Sequence, residues 1–107
     1  MEITFIGTGP AGGVQAWGKS KRLESSALIK TPLVNVLIDV TEDFTKQVKL
    51  LPETLDTVLI THGHQDAIGG LDNFILWQIK KEGVVPILSM DETLDKIKNR
   101  HKSDLDL

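Results

Sequence analysis

The sequence predicts an α/β fold built as one mixed sheet of about five strands with helices on one face. Three observations predict it. Short apolar runs alternate with segments whose apolar residues recur at helical spacing. Gly, Pro and Thr-Pro signals separate the two kinds of segment. The 107 residues, 40% hydrophobic, suffice for one modest core, so residues 1–107 are read as a single, partial domain.

Residues 3–6 read as the first strand, ended by the glycine-rich "GTGPAGG". Residues 26–30 and 34–40 read as two more, and Thr31-Pro32 between them signals a hairpin. Thr41 is placed as the N-cap of a short helix whose Phe44, Val48 and Leu51 recur at helical spacing, and Pro52 stops it. Residues 57–61 form a fourth strand that runs into "LITHGHQDAIGGLDNF", residues 59–74. Beyond it, Leu71, Phe74, Ile75 and Ile79 make one apolar stripe on a helix of about three turns. Leu76 and Trp77 fall off that stripe. "VVPIL", residues 84–88, reads as a fifth strand. "SMDE" is a capping box, with Ser89 as N-cap and Glu92 at N3, opening a helix with Leu94 and Ile97 on its buried side. "NRHKSDLDL" reads as a frayed polar tail, and its His101 as a surface residue near a helix end. Glu53 and Asp56 read as solvated turn residues, and the helix dipole accounts for Asp72 near a helix start.

Composition narrows the function classes. Twelve Lys+Arg against 15 Asp+Glu give a net charge of −3. No basic block is dense enough for a phosphate-backbone footprint, so nucleic acid is not an expected partner. Lys19, Lys21 and Arg22 form a small basic cluster read as a solvated loop. With no cysteine in the chain, disulfides, thiolate zinc sites and cysteine nucleophiles are all excluded, and any metal must be held by histidine and carboxylate. The start "MEITFIGTG" lacks the basic and apolar regions of a signal peptide, and no apolar run approaches the ~20 residues needed to span a bilayer. The expectation is a cytoplasmic chain without a membrane partner.

Two motifs carry chemistry. "GTGPAG" matches G-x-G-x-x-G, but "VQAWGKSKR" follows it with Gly18 interrupting and no amphipathic stripe, and Asp39 lies too far along to be the ribose acid. A glycine-rich turn that lets backbone pass close to a site or another strand is the better account. Trp17 in the following loop is read as pinning that loop to the core.

The second motif places His62, His64 and Asp66 at alternate positions. In an extended chain such side chains point the same way but sit ~6.6 Å apart, whereas donors around one tetrahedral zinc stand within ~3.4 Å of each other on bonds of ~2.0 Å. The chain must therefore curl, and Gly63, Gly69 and Gly70 supply permissive backbone. Alternatively the histidines share one ion and Asp66 faces a second, or the histidines merely satisfy a loop.

"LITHGHQDAIGGLDNF" resembles the H-x-H-x-D-H motif of the metallo-β-lactamase fold. "FIGTGPAGGV" resembles the first strand and turn of its phosphodiesterase-like members, among them phosphoribosyl cyclic phosphodiesterases and, more distantly, tRNase Z. "SSALIK", "VLIDVTEDFTKQ" and "VPILSMDETLDKIK" resemble the segments that follow, in order. The resemblance implies an αββα-type fold, of which this chain is the N-terminal half, and metal-dependent hydrolysis, most of all of a phosphoester. It implies His62 and His64 as ligands of the first metal, with Asp66 facing the second metal and orienting the attacking water. Asp39 would be a buried acid bracing the motif loop.

Two departures qualify the pattern. Ala67 stands where the family has its second-metal histidine, and the later ligands lie in a C-terminal half beyond this sequence. The expectation is zinc, with manganese or iron as alternatives, as one ion or none in the isolated chain. A sheet apolar on both faces implies a partner on the open one, either another copy or a complementing C-terminal half. The rival function is a non-catalytic module that keeps the scaffold, binds one metal or pairs with another chain.

Overall fold

In the computed structural model residues 1–9, 15–16, 20–81 and 83–100 are described, with side chains left aside for residues 10–21. Five strands form one mixed sheet in the order β1 (Glu2–Gly7), β4 (Ser26–Lys30), β5 (Asn35–Ile38), β6 (Thr57–Leu59), β7 (Ile87–Leu88). β1 pairs antiparallel with β4, and β4 with β5; β5 to β6 and β6 to β7 are parallel. The expected hairpin is present. Thr31 makes its turn, its hydroxyl oxygen accepting from the backbone N–H of Leu33 and Val34. A two-stranded ribbon of β2 (Gln15–Ala16) and β3 (Ser20–Lys21), not foreseen in the sequence, lies in the segment after the first strand.

Side chains alternate across each strand, and the ladder registers set them in rows. Thr4, Leu28, Leu37, Val58 and Ile87 form one row. Leu28, Leu37 and Val58 of this row are fully buried, in one core with Phe44 of α1 (Phe44–Gln47), Leu71 and Phe74 of α3 (Leu71–Lys80) and Ile97 of α4 (Asp91–Arg100). Burying a side chain such as Leu37 contributes about 1.5–3 kcal/mol. The other face carries the rows Ile3–Ile29–Val36–Thr57 and Phe5–Ala27–Ile38–Leu59–Leu88. It lies open in this chain, with Phe5 71%, Leu88 53% and Ile3 52% exposed.

Several expectations need correction. Thr41 is not the N-cap of α1: Asp43 holds that position, and no side chain caps it. The Thr41 hydroxyl instead accepts from Asp43 N–H at 3.0 Å and donates to Gln47 Oε1 at 2.7 Å. The helix is a single turn continued by a 3₁₀ turn over Val48–Leu50. Gln47, 1% exposed, rather than Val48 is its second buried residue. Its amide is tolerated there because Nε2 donates to Glu24 O at 2.7 Å, satisfying the group. In α3, Ile79 is exposed, whereas Trp77 packs against the core and stacks on Phe74. Ser89 does not cap α4, which begins at Asp91; its hydroxyl donates to Ile60 O at 2.7 Å. Leu94 is only half-buried, and Thr93 joins Ile97 on the inner side. The helix runs through Arg100, so the tail begins later than Asn99; His101 lies outside the described residues, as do Trp17 and Lys19. Among the described residues no helix is long and apolar enough to cross a membrane.

The glycine-rich turn behaves as the close-approach account requires. A Cβ on Gly7 would stand 2.0 Å from Glu24 O, so backbone passes where no side chain fits. Positions 10–12 of the dinucleotide motif lie outside the described residues.

Candidate metal centre

The site forms where the parallel strands end, the edge at which open α/β sheets gather functional groups. Asp39 follows β5, residues 60–66 follow β6, and Ser89 follows β7. After His64, which is extended at φ −96° and ψ 163°, the chain turns into a one-turn helix, α2 (Gln65–Ile68). This turn is the curl that the three side chains require. It is made by ordinary helical backbone and not by left-handed glycine, since no glycine of the loop has a positive φ. Gly70 matters for a different reason: a Cβ there would stand 1.9 Å from Thr41 O. Backbone bonds then pin α2 to the end of β5, from Val40 N to Ala67 O at 2.8 Å and from Gly70 N to Val40 O at 3.0 Å.

The curl brings His62, His64 and Asp66 together, each offering an atom within 4.8 Å of the others. His62 Nε2 lies 2.7 Å from Asp66 Oδ1, and the two imidazoles meet edge to face at 5.1 Å between ring centroids. All three stay accessible, with His64 the most open.

Asp39 braces this loop, but it is half-buried and not the buried acid expected. It is the only non-glycine with a positive φ, 66°, among the described residues. That conformation costs an L-residue roughly 1–2 kcal/mol, least for Asp and Asn. Ser26 Oγ, reaching Ile38 O at 2.8 Å and Asp39 O at 3.0 Å, helps to hold it. The turned carboxylate accepts twice from Thr61, at 2.7 Å from N–H and 2.7 Å from the hydroxyl.

Thr61, absent from the residues singled out in the sequence, connects the brace to the candidate ligands. Its one hydroxyl proton goes to Asp39, so at 2.8 Å its oxygen accepts from His62 Nδ1–H. A neutral His62 then turns the Nε2 lone pair toward the Asp66 carboxylate. Two acceptors at 2.7 Å require a cation between them, a proton or a metal ion. A histidine whose far nitrogen is held as a donor is also the usual outer arrangement of a metal ligand. Two imidazoles and a carboxylate are the donor chemistry that first-row divalent ions take, and the three side chains converge on one point of the loop. Ala67 lies in the apolar core, 0% exposed, and offers no ligand atom.

Fold and site together define the N-terminal half of a metallo-β-lactamase-fold protein. The chain matches the metallo-β-lactamase-fold protein YhfI of Bacillus subtilis at a TM-score of 0.70 and 21% identity, over 91% of this chain and 39% of that one. It matches a diphosphatase of the PhnP family at 0.78 and 29% identity, over 94% of this chain and 46% of that one, and human tRNase Z, short form, at 0.72 and 21% identity, over 95% and 40%.

The family model of the anti-Pycsar protein Apyc1 matches residues 1–100, and the chain belongs to that family. It is 34% identical over 97 residues to Apyc1 of Saccharibacillus brassicae, covering 88% of this chain and 38% of that protein. It is 31% identical over 115 aligned positions to an octanoyltransferase of Porphyromonas gingivalis, covering 94% of this chain and 23% of that protein. The chain thus spans less than half the length of these relatives.

Proposed function

We propose that the chain is the metal-binding half of a hydrolase that acts on a phosphoester. The observation that carries this reading is the convergence of His62, His64 and Asp66 at 4.8 Å or less on a loop braced through Asp39 and Thr61. His62 and His64 are the ligands, and zinc is the first candidate, ahead of manganese and iron. Asp66 orients the attacking water by accepting a hydrogen bond from it. A bound metal ion supplies a lowered water pKa and polarisation of the phosphoryl oxygen. Thr61 holds His62 in the tautomer that leaves Nε2 free to ligate, and Asp39 holds Thr61.

Two histidine ligands leave a tetrahedral shell incomplete, and the open sheet face exposes Phe5, Leu88 and Ile3 along its rows, the kind of apolar surface that marks an interface. Both deficits point to one remedy: a second sheet, carrying further ligands, that packs on the Phe5 and Ile3 rows. We assign that role to a complementing C-terminal half, with self-association of the chain as the substitute when it is alone. A small phosphoester is the substrate class, residues 1–107 form one partial domain, and the cytoplasm is the proposed compartment. The counter-defence setting is carried by the family name alone, Pycsar being a bacterial defence system.

The buried methyl of Ala67 favours a second reading, a non-catalytic module that binds one ion or pairs with another chain. Hydrolysis of a generic phosphodiester by the 107-residue chain decides how much the half-site can do alone. The expected rate is negligible, because orienting water and substrate calls for a closed cleft. Metal-dependent turnover that disappears in His64→Ala would show the half-site to be self-sufficient.

A further inference from the structure

The one-turn helix α2 that presents Asp66 is pinned on its inner side, where Ala67 and Ile68 are buried and Ala67 O accepts from Val40 N–H, while its outer start is held by side-chain contacts. Gln65 is the first residue of that helix and stands between His64 and Asp66. Its carboxamide is engaged at both ends. Nε2 donates to Glu42 Oε1 at 3.0 Å, and Oε1 accepts from Arg100 Nη1. Glu42 belongs to the loop after β5 and Arg100 to the last turn of α4. The side chain therefore spans an acid and a base from two different elements, and an amide suits this by placing a donor and an acceptor side by side.

The wall it leans on is fixed. Ile97 anchors α4 in the core, Ser89 ahead of the helix donates to Ile60 O, and the Lys96 stem packs against the loop, 2.8 Å from where a Cβ on Gly63 would stand. Along one side of the metal loop, then, α4 makes contact at residues 63 and 65, and Ser89 just ahead of it at residue 60.

We infer that Gln65 is a positioning residue for the metal loop, acting as a strut between Glu42 and Arg100 that sets the rotation of α2 and thereby the placing of Asp66. This inference rests on the proposed metal site. It involves neither ligation nor contact with the substrate.

The test is zinc affinity by competition titration, with the visible absorption of the cobalt-loaded chain as a reading of ligand geometry. The variants are Gln65→Ala, Gln65→Glu and the double variant Gln65→Glu/Glu42→Gln. Outer partners of metal ligands are commonly worth 10–100-fold in affinity, and for this exposed strut about a tenfold loss is expected in Gln65→Ala, with an altered cobalt spectrum. Gln65→Glu keeps Arg100 but sets two carboxylates against each other, so it also weakens binding. In the double variant the new carboxylate accepts from both Arg100 and the new amide, and affinity returns toward that of the unaltered chain. The metal-free melting temperature is expected to stay level across the series. Unchanged affinity in Gln65→Ala, or no recovery in the double variant, overturns the strut while leaving the metal site standing. Failure of the unaltered chain to bind zinc overturns both.

Discussion

Replacing His62 with alanine is expected to abolish stabilisation of the chain by zinc. A ligand that binds only the folded state stabilises it by about 2.7 kcal/mol at a free concentration of 100 times its dissociation constant. The unaltered chain should gain that much, read as a rise in melting temperature with added zinc. The variant should gain nothing at the same concentration, because His62 is the proposed ligand that Thr61 holds in position and the one in contact with Asp66. Thr61→Val should fall between, since it keeps all three donors and loses only the hydroxyl that links Asp39 to His62; roughly tenfold weaker binding is expected. An equal zinc-induced shift in unaltered and His62→Ala protein would place the metal elsewhere.

Phe74→Ala and Phe5→Ala should separate sharply, although both remove the same atoms. Phe74 is 1% exposed and meets Phe44 edge to face and Trp77 in a stack. Deleting such a ring costs about 3–5 kcal/mol in transfer energy and residual cavity. Against a total stability of about 5–15 kcal/mol this is a large share, and it falls on α3, which continues directly from the motif. Phe5, on the open sheet face, should cost under about 0.5 kcal/mol in the chain alone, and several-fold more once a second sheet seats on that face. Urea unfolding of both variants, metal-free and dilute, checks the contrast. Equal losses would mean that the Phe5 face is already covered in the chain by itself.

Periodicity made the sheet legible. The alternation in residues 26–30 and 34–40 and the Thr31-Pro32 turn carry their own hairpin, and the apolar residues on both faces of β4 and β5 announced a sheet meant to be covered twice. The three candidate ligands were legible too, because spacing alone demanded a curl, and α2 supplies it. Other features were beyond reach for specific reasons. Gln47 reads as a surface residue until Glu24 O and Thr41 are seen to satisfy it. Thr61 reads as one more strand residue until Asp39 takes a left-handed backbone that no pattern signals. Ser89 has the sequence of a cap, yet tertiary packing gives its hydroxyl to Ile60. In each case a contact distant in sequence overrode a local preference.

The central claim is that one ion is held by the loop of residues 62–66, with no second site at Ala67. Calorimetric titration of zinc into the metal-free 107-residue chain, repeated with Ala67→His, tests it most directly. The predicted result is one ion per chain in both, with Ala67→His less stable by about 1–3 kcal/mol because an imidazole overfills a fully buried methyl position. Two tight ions per unaltered chain, or none, would contradict the account.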